Sequence, residues 1–306
     1  MNISVCIATY RRPERLAALL DDLVLQLSPP SEVVVVDNDA GASARAVVER
    51  RITFGAPFPI HYEVQPVQNI SLTRNRTVAL SSGDWLAFVD DDERAPADWL
   101  IQLAEAVECC DADGALGPVE PVLPPLAPPW IRRGNFYDWA HMATGSRVPL
   151  NKLRFGNVLL RGSLLRSLEA PFDPAYGLTG GEDGDLLTRL VQRGASVVWS
   201  DAAAVFEPVE ASRLSLRWLL LRSLRGGQDY ARHRLAGRYG PITTGGRIGL
   251  VLRALVQTVM AAVMAVLQLP RGLHHAAYWL LKASANVGKM SILAGWHYRE
   301  YAAVTV

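Results

Sequence analysis

Two hydrophobic periods alternate along the first two-thirds of the chain. Apolar runs at Ile3–Ala8, Glu32–Asp37, Ile60–Val64 and Trp85–Val89 read as buried strands. Between them the spacing turns helical. Leu16, Leu19, Leu20, Leu23 and Leu27 fall on one helix face, and Pro29-Pro30 ends that helix. Ala42–Arg51, Ser71–Leu80 and Ala97–Glu108 fill the same role after the next strands. Phe155–Leu160 restores a strand, and Leu186–Arg193 follows as a helix. Strands that are apolar throughout, separated by helices, predict an α/β fold: a mostly parallel, Rossmann-like sheet covered on both faces.

In such sheets ligands bind beyond the carboxyl ends of the strands. Thr9, Asp37 and Asp90-Asp91-Asp92 all fall at such ends. The run Asp90-Asp91-Asp92-Glu93 crowds like charges, which is unfavourable unless something positive binds. An oxygen-only set suits a hard divalent ion shared with substrate phosphates. Glycines 177–181 then deliver Glu182-Asp183-Gly184-Asp185 to a helix start, and Asn157 is a candidate polar contact. Neither G-x-G-x-x-G nor G-x-x-x-x-G-K-[ST] occurs, so both common phosphate loops are missing. The proline-rich stretch Pro118–Pro129, with Trp130, Phe136, Tyr137 and Trp139 after it, reads either as a surface loop or as an acceptor loop stacking aromatic faces on sugars.

Charge separates the chain into two parts. Residues 1–207 carry 18 Lys+Arg against 27 Asp+Glu, a net of −9; residues 208–306 carry 13 against 3, a net of +10. The basic part is also very apolar, with arginines among leucines from Ser212 to Gly227 and nearly unbroken apolar runs at Ile248–Leu269 and Ala276–Trp296. That combination points to an anionic membrane surface and not to nucleic acid. The expectation is a catalytic domain over 1–210 and a helical, interfacial tail over 211–306; a single span near 248–269 is the alternative. Three cysteines without zinc or disulfide spacing fit a reducing cytoplasm, and the first residues lead into a strand with no signal-peptide pattern.

Ala8-Thr9-Tyr10, Val35-Val36-Asp37-Asn38, Thr73-Arg74-Asn75, Asp90-Asp91-Asp92, Gly156-Asn157 and Glu182-Asp183 before a helix, in this order, resemble the family 2 glycosyltransferases. These are inverting enzymes of the nucleotide-diphospho-sugar-binding (GT-A) fold. Phe88–Glu93, Asn69–Asn75 and Leu216-Arg217-Trp218 with Arg225–Gln228 are similar to the succinoglycan-type subgroup, which builds exopolysaccharide repeat units. The resemblance implies that Thr9, Tyr10 and Asp37 hold the uridine, with Asp37 on the base. Arg74 and Asp91 would lie at the nucleotide-sugar, Asp90 at the ribose or metal, and Asp92 on Mg²⁺ or Mn²⁺ bridging the diphosphate. Asp183 would be the base, Glu182 would orient the acceptor or hold the loop, and Asp185 would tolerate substitution. Many relatives place a histidine shortly after the last core strand, where this chain has Phe206-Glu207.

The function expected is transfer of a hexose from a UDP-sugar to a lipid-linked saccharide at the cytoplasmic face of a bacterial inner membrane. A sugar nucleotidyltransferase would need a glycine-rich loop after the first strand, and Thr9-Tyr10-Arg11-Arg12-Pro13 has no glycine. A catalytically dead scaffold would have no reason to keep two separate acidic sites.

Overall fold

The computed structural model describes residues 1–301, so the last five residues of the expected tail lie outside the described residues. The chain forms two compact units. Met1–Glu120 and Trp139–Glu207, with Tyr301, make the first; Pro121–Asp138 and Pro208–Glu300 make the second. A single cut at 210 does not reproduce this division, because 121–138 joins the later residues.

The first unit runs β1 (Ile3–Thr9), α1 (Pro13–Val24), β2 (Glu32–Asp37), α2 (Arg45–Phe54), β3 (Ile60–Val64), α3 (Ile70–Leu80), β4 (Trp85–Val89), α4 (Trp99–Cys109) and β5 (Gly114–Leu116). The chain leaves it within β6 (Val119–Val122), forms α5 (Pro129–Gly134) in the second unit, and comes back for β7 (Asn157–Arg161), α6 (Gly162–Arg166), α7 (Glu182–Gln192) and β8 (Val197–Trp199). It leaves again within β9 (Val205–Pro208). The seven-stranded sheet has the order β3-β2-β1-β4-β7-β5-β8. Strand β7 is antiparallel to both neighbours; every other pairing is parallel.

Alternation within strands explains why both faces are covered. Trp85, Ala87 and Val89 pack into one core, and Leu86 and Phe88 into the other. Leu16, Leu19, Leu20 and Leu23 are buried on α1 as their spacing predicts. Leu27 is not: α1 stops at Val24, and Leu27 is 70% exposed while its backbone N–H donates to the Ala97 carbonyl (2.8 Å). That backbone bond, made outside any helix, fixes the turn.

The second unit adds α8 (Leu216–Leu235), α9 (Thr244–Gln268) and α10 (Leu273–Leu293) to α5. Ile131, Tyr137, Val209 and Leu219 form its buried cluster. Tyr137 stacks on Trp218 and its hydroxyl donates to the Arg213 carbonyl (2.8 Å), while Trp130 packs on Phe136. These aromatics therefore build a core. The acceptor-loop reading of 118–139 does not hold for Tyr137, whose ring has no free face to offer a sugar.

Candidate active site

Strands β1 and β4 are parallel neighbours, while β2 and β3 lie on the far side of β1. The reversal of strand order opens a crevice at their carboxyl ends. Thr9 closes β1 and donates its hydroxyl hydrogen to Asp91 Oδ2 (2.7 Å). Arg12, at the start of α1, donates to Asp91 Oδ1 (3.1 Å) and Asp92 Oδ2 (2.9 Å); Arg15 stands 3.5 Å from the same Asp92 oxygen. A cation at a helix N-terminus opposes the helix dipole. Here the two carboxylates offset that cost.

Asp90 is the accessible acid of the run, its side chain 46% exposed against 7% for Asp92. Arg74, on α3, donates from one nitrogen to Asp90 Oδ1 (3.0 Å) and from the other to Glu182 Oε1 (2.6 Å). Its guanidinium lies over the rings of Phe155 (4.8 Å) and Phe172 (5.8 Å). Asn69 caps α3 by accepting from the Leu72 N–H (3.0 Å), which fixes where that helix begins. One buried guanidinium thus ties the strand-end acids to the acids opening α7. Glu93 folds back under them, accepting from the Asp90 N–H (3.1 Å). Gly156, at φ +106°, closes over this floor. A Cβ there would stand 3.0 Å from Glu93 Oε1 and 3.4 Å from Asp90 Oδ2, so only glycine leaves the carboxylates clear.

The charges here are undercompensated. Although its side chain keeps solvent contact, desolvation within the crevice raises the Asp90 pKa, Arg74 opposes it, and the Asp92 and Asp183 charges raise it further. Burial likewise pushes Asp91 up to about 6, against the pull of Arg12 and with the repulsion of Asp92. Glu93 is raised well above the usual range by burial and by Asp90 and Asp92. Burial works to lower the Arg74 pKa, but Glu182, Asp90 and Asp183 together raise it.

Gly180 and Gly181 both take positive φ (+81° and +91°) to turn the chain into α7. Glu182 is buried on Arg74, and Asp183 is only half-buried, with Oδ1 accepting from the Gly184 N–H (2.7 Å). The two acids diverge as a helical step of about 100° requires. Asp185 is fully buried and accepts from Arg189 Nε (2.7 Å), which also bonds the Pro171 carbonyl. The expected tolerance of Asp185 is therefore corrected: removing it strands a guanidinium.

Three other expected contacts are committed to the fold. Asp37 is fully buried, with Oδ1 on the Asp39 N–H (2.9 Å) and Oδ2 on the Ala44 N–H (2.9 Å) and the Tyr62 hydroxyl (3.0 Å). It ties β2 to the turn before α2 and to β3. Asn157 accepts from Trp99 Nε1 (2.8 Å) and donates to the Pro118 (2.9 Å) and Ala203 (2.6 Å) carbonyls. It clamps β7 to its surroundings and contacts no open space. The Thr9 hydroxyl holds Asp91. Tyr10 stands beside it, half-buried, with the Arg11 guanidinium 5.1 Å from its ring centre. Sequence reasoning missed the Arg12 and Arg15 partners of Asp91 and Asp92 and the folding back of Glu93. Placing Thr9-Tyr10-Arg11-Arg12 beside the acidic run on adjacent parallel strands was the available signal.

Among the described residues no three His, Cys, Asp or Glu side chains form a cage for a metal ion. A hard ion shared with substrate phosphates needs only one or two protein carboxylates. The accessible Asp90, with Asp92 two residues on, offers that many, so the donor set fits, with Arg12 and Arg15 on the Asp92 oxygen.

The Glycosyl transferase family 2 profile matches residues 4–154. The chain is similar to the succinoglycan biosynthesis protein ExoM of Rhizobium meliloti (strain 1021), 39% identical over 242 residues, which cover 76% of this chain and 75% of that protein. Its fold is similar to that of S. aureus TarS 1-349 in complex with UDP-GlcNAc, with TM-score 0.57, 19% identity and coverage of 98% and 93%. It is also similar to mannosyltransferase PcManGT from Pyrobaculum calidifontis in complex with GDP-Man and Mn²⁺, with TM-score 0.59, 15% identity and coverage of 98% and 77%.

Proposed function

The chain belongs to glycosyl transferase family 2, and from that membership we propose that it transfers a hexose, with inversion, from a UDP-sugar to a lipid-linked saccharide during exopolysaccharide assembly. The observation that carries the reading is Arg74, whose single guanidinium joins Asp90 to Glu182 and so brings two acidic sites together. The crevice between β1 and β4 takes the nucleotide. The half-buried Asp183 removes the proton of the attacking hydroxyl, and the sugar's bond to the diphosphate breaks as the new one forms from the opposite face. Glu182, held on Arg74, keeps the loop in place. Asp90 and Asp92 would hold Mg²⁺ or Mn²⁺, which when bound neutralises charge on the leaving diphosphate. The relative named for succinoglycan biosynthesis and the neighbours holding UDP-GlcNAc and GDP-Man support this choice of chemistry.

Incubation with Mn²⁺ and a panel of UDP-sugars tests the reading. We expect UDP release that rises with acceptor and disappears in EDTA, and loss of Mn²⁺-dependent UDP binding in Asp92→Ala. Pyrophosphate release instead would identify a nucleotidyltransferase, and no release at all a scaffold.

The same reading places the protein on the cytoplasmic face of the membrane. One helix, Thr244–Arg271, is long and apolar enough to cross a membrane among the described residues. Its small residues Ala254, Ala261 and Ala265 are buried, while Ile248, Leu252, Leu255, Val256, Val259, Met260, Val263, Val266 and Leu267 are exposed. At about 100° per residue these exposed positions form one continuous arc, with Arg253 and Gln257 along one edge. An apolar arc bordered by a cation suits a helix lying in the interface. Val259→Glu combined with Val263→Glu is expected to lower flotation with anionic liposomes by about tenfold or more, since each valine removed from lipid forfeits about 1.5 kcal/mol or more. Flotation of the unaltered protein that ignores lipid charge and salt and resists carbonate would instead favour a span by this helix.

A further inference from the structure

A second recess lies on the same rim of the sheet, displaced away from the β1–β4 crevice. Trp139, Ala140, Met142, Lys152, Arg154 and Trp199 line it, and it is open to solvent. Its position follows from the strand directions. Strand β8 is parallel to β5, and β5 and β4 are both antiparallel to β7, so Trp199 ends β8 on the side where Val89 ends β4. Arg154 arrives at that rim too, because Asn157, three residues later, pairs with Val89. The Arg154 guanidinium lies against the Trp139 face, 4.9 Å from its centre. Desolvation there lowers its pKa, and the Asp183 charge opposes the shift, so the two groups are within electrostatic reach.

The charge of this recess is unlike that of its surroundings. Trp139–Phe155 contains Arg147, Lys152 and Arg154 and no Asp or Glu, inside a stretch, 1–207, of net −9. Among the described residues neither Lys152 nor Arg154 makes a salt bridge to a carboxylate, and Asp183 acts on Arg154 from beyond ion-pair distance. Asp201, beside Trp199, is already engaged by Trp199 Nε1 (2.8 Å) and His141 Nδ1 (2.7 Å). An aromatic side chain beside two cations can pack against a sugar and bind an anion attached to it.

Building on the proposed transferase reading, we propose that this recess is the acceptor site and that it selects a saccharide carrying a negative charge, carboxylate or phosphate, next to the hydroxyl that attacks. The Lys152 and Arg154 side chains take the anion, the sugar ring rests against the solvent-facing part of Trp139, and the hydroxyl is left pointing toward Asp183. A neutral sugar would forgo the charge-assisted bonds and leave both cations idle.

Ligand-observed NMR on the full chain tests this with three probes: methyl β-D-glucoside, methyl β-D-glucuronide and α-D-glucose 1-phosphate. The glucuronide or the phosphate is expected to bind at least about tenfold more tightly than the glucoside, a difference of about 1.4 kcal/mol. Whichever anion wins assigns the charge to a ring carboxylate or to the phosphate joining sugar to lipid. Arg154→Gln with Lys152→Gln should bring both anions down to the glucoside level while UDP affinity stays within about twofold, as separate sites require. Equal binding of all three probes by the wild type overturns the proposal. So does a double variant that loses UDP affinity as much as glucuronide affinity, which would give the cations to the donor. Failure of the wild type to bind UDP at all would sink the transferase reading instead, and the probe comparison would still be readable.

Discussion

Asp183→Asn is expected to bind UDP-sugar within a few-fold of the wild type and to lower kcat by about 10²–10⁴. The substitution is nearly isosteric, and it retains an oxygen to accept the Gly184 N–H that Asp183 Oδ1 accepts now. It removes only the ability to take a proton. The neighbouring acid cannot replace it: Glu182 is buried and committed to Arg74, whereas Asp183 is half-buried and reaches solvent. Single-turnover kinetics with saturating donor make the comparison. A variant keeping more than about a tenth of the wild-type rate, beside an inactive Glu182→Gln, would move the base role to Glu182.

Arg74→Ala should do more damage, and of a different kind. It leaves the Glu182 carboxylate buried without its guanidinium and exposes Asp90 to the unopposed charges of Asp92 and Asp183. Breaking a buried pair from one side costs about 3–5 kcal/mol. Urea denaturation should therefore show that loss together with loss of activity. Arg74→Lys should not rescue it, because one ammonium cannot span two carboxylates and lie flat on Phe155 and Phe172. If Arg74→Ala unfolds at the wild-type urea concentration and retains UDP binding, the two acidic sites do not depend on this link.

Much of this was legible in the chain. The apolar runs placed the strands, and the placement of the strands put Thr9 and Asp90–Asp92 at one rim, because period and composition reflect burial directly. Partner choice was not legible. Asp37 and Asn157 stand at strand ends, as substrate ligands do, yet their oxygens and nitrogens are taken by Ala44, Tyr62, Trp99 and Ala203. A short polar side chain at a strand terminus looks the same in sequence whether it faces a ligand or closes a buried turn. Arg12 and Asp91 are 79 residues apart, and no local pattern records that they meet. The helix α7 begins four residues before the leucine run suggested, since the acids themselves form its first turn.

The second unit's divided sequence has a consequence for synthesis. Ile131 and Tyr137 are buried in a cluster that needs Val209 and Leu219. A ribosome adding about 5–20 residues per second delivers Leu219 several seconds after Ile131. During that interval the nascent chain carries Ile131 and Tyr137 with the residues that cover them not yet made. The segment is a natural client for a chaperone, and a stop codon anywhere before Leu219 leaves it permanently uncovered. Premature termination in this protein should thus yield aggregating fragments and not a trimmed, soluble enzyme.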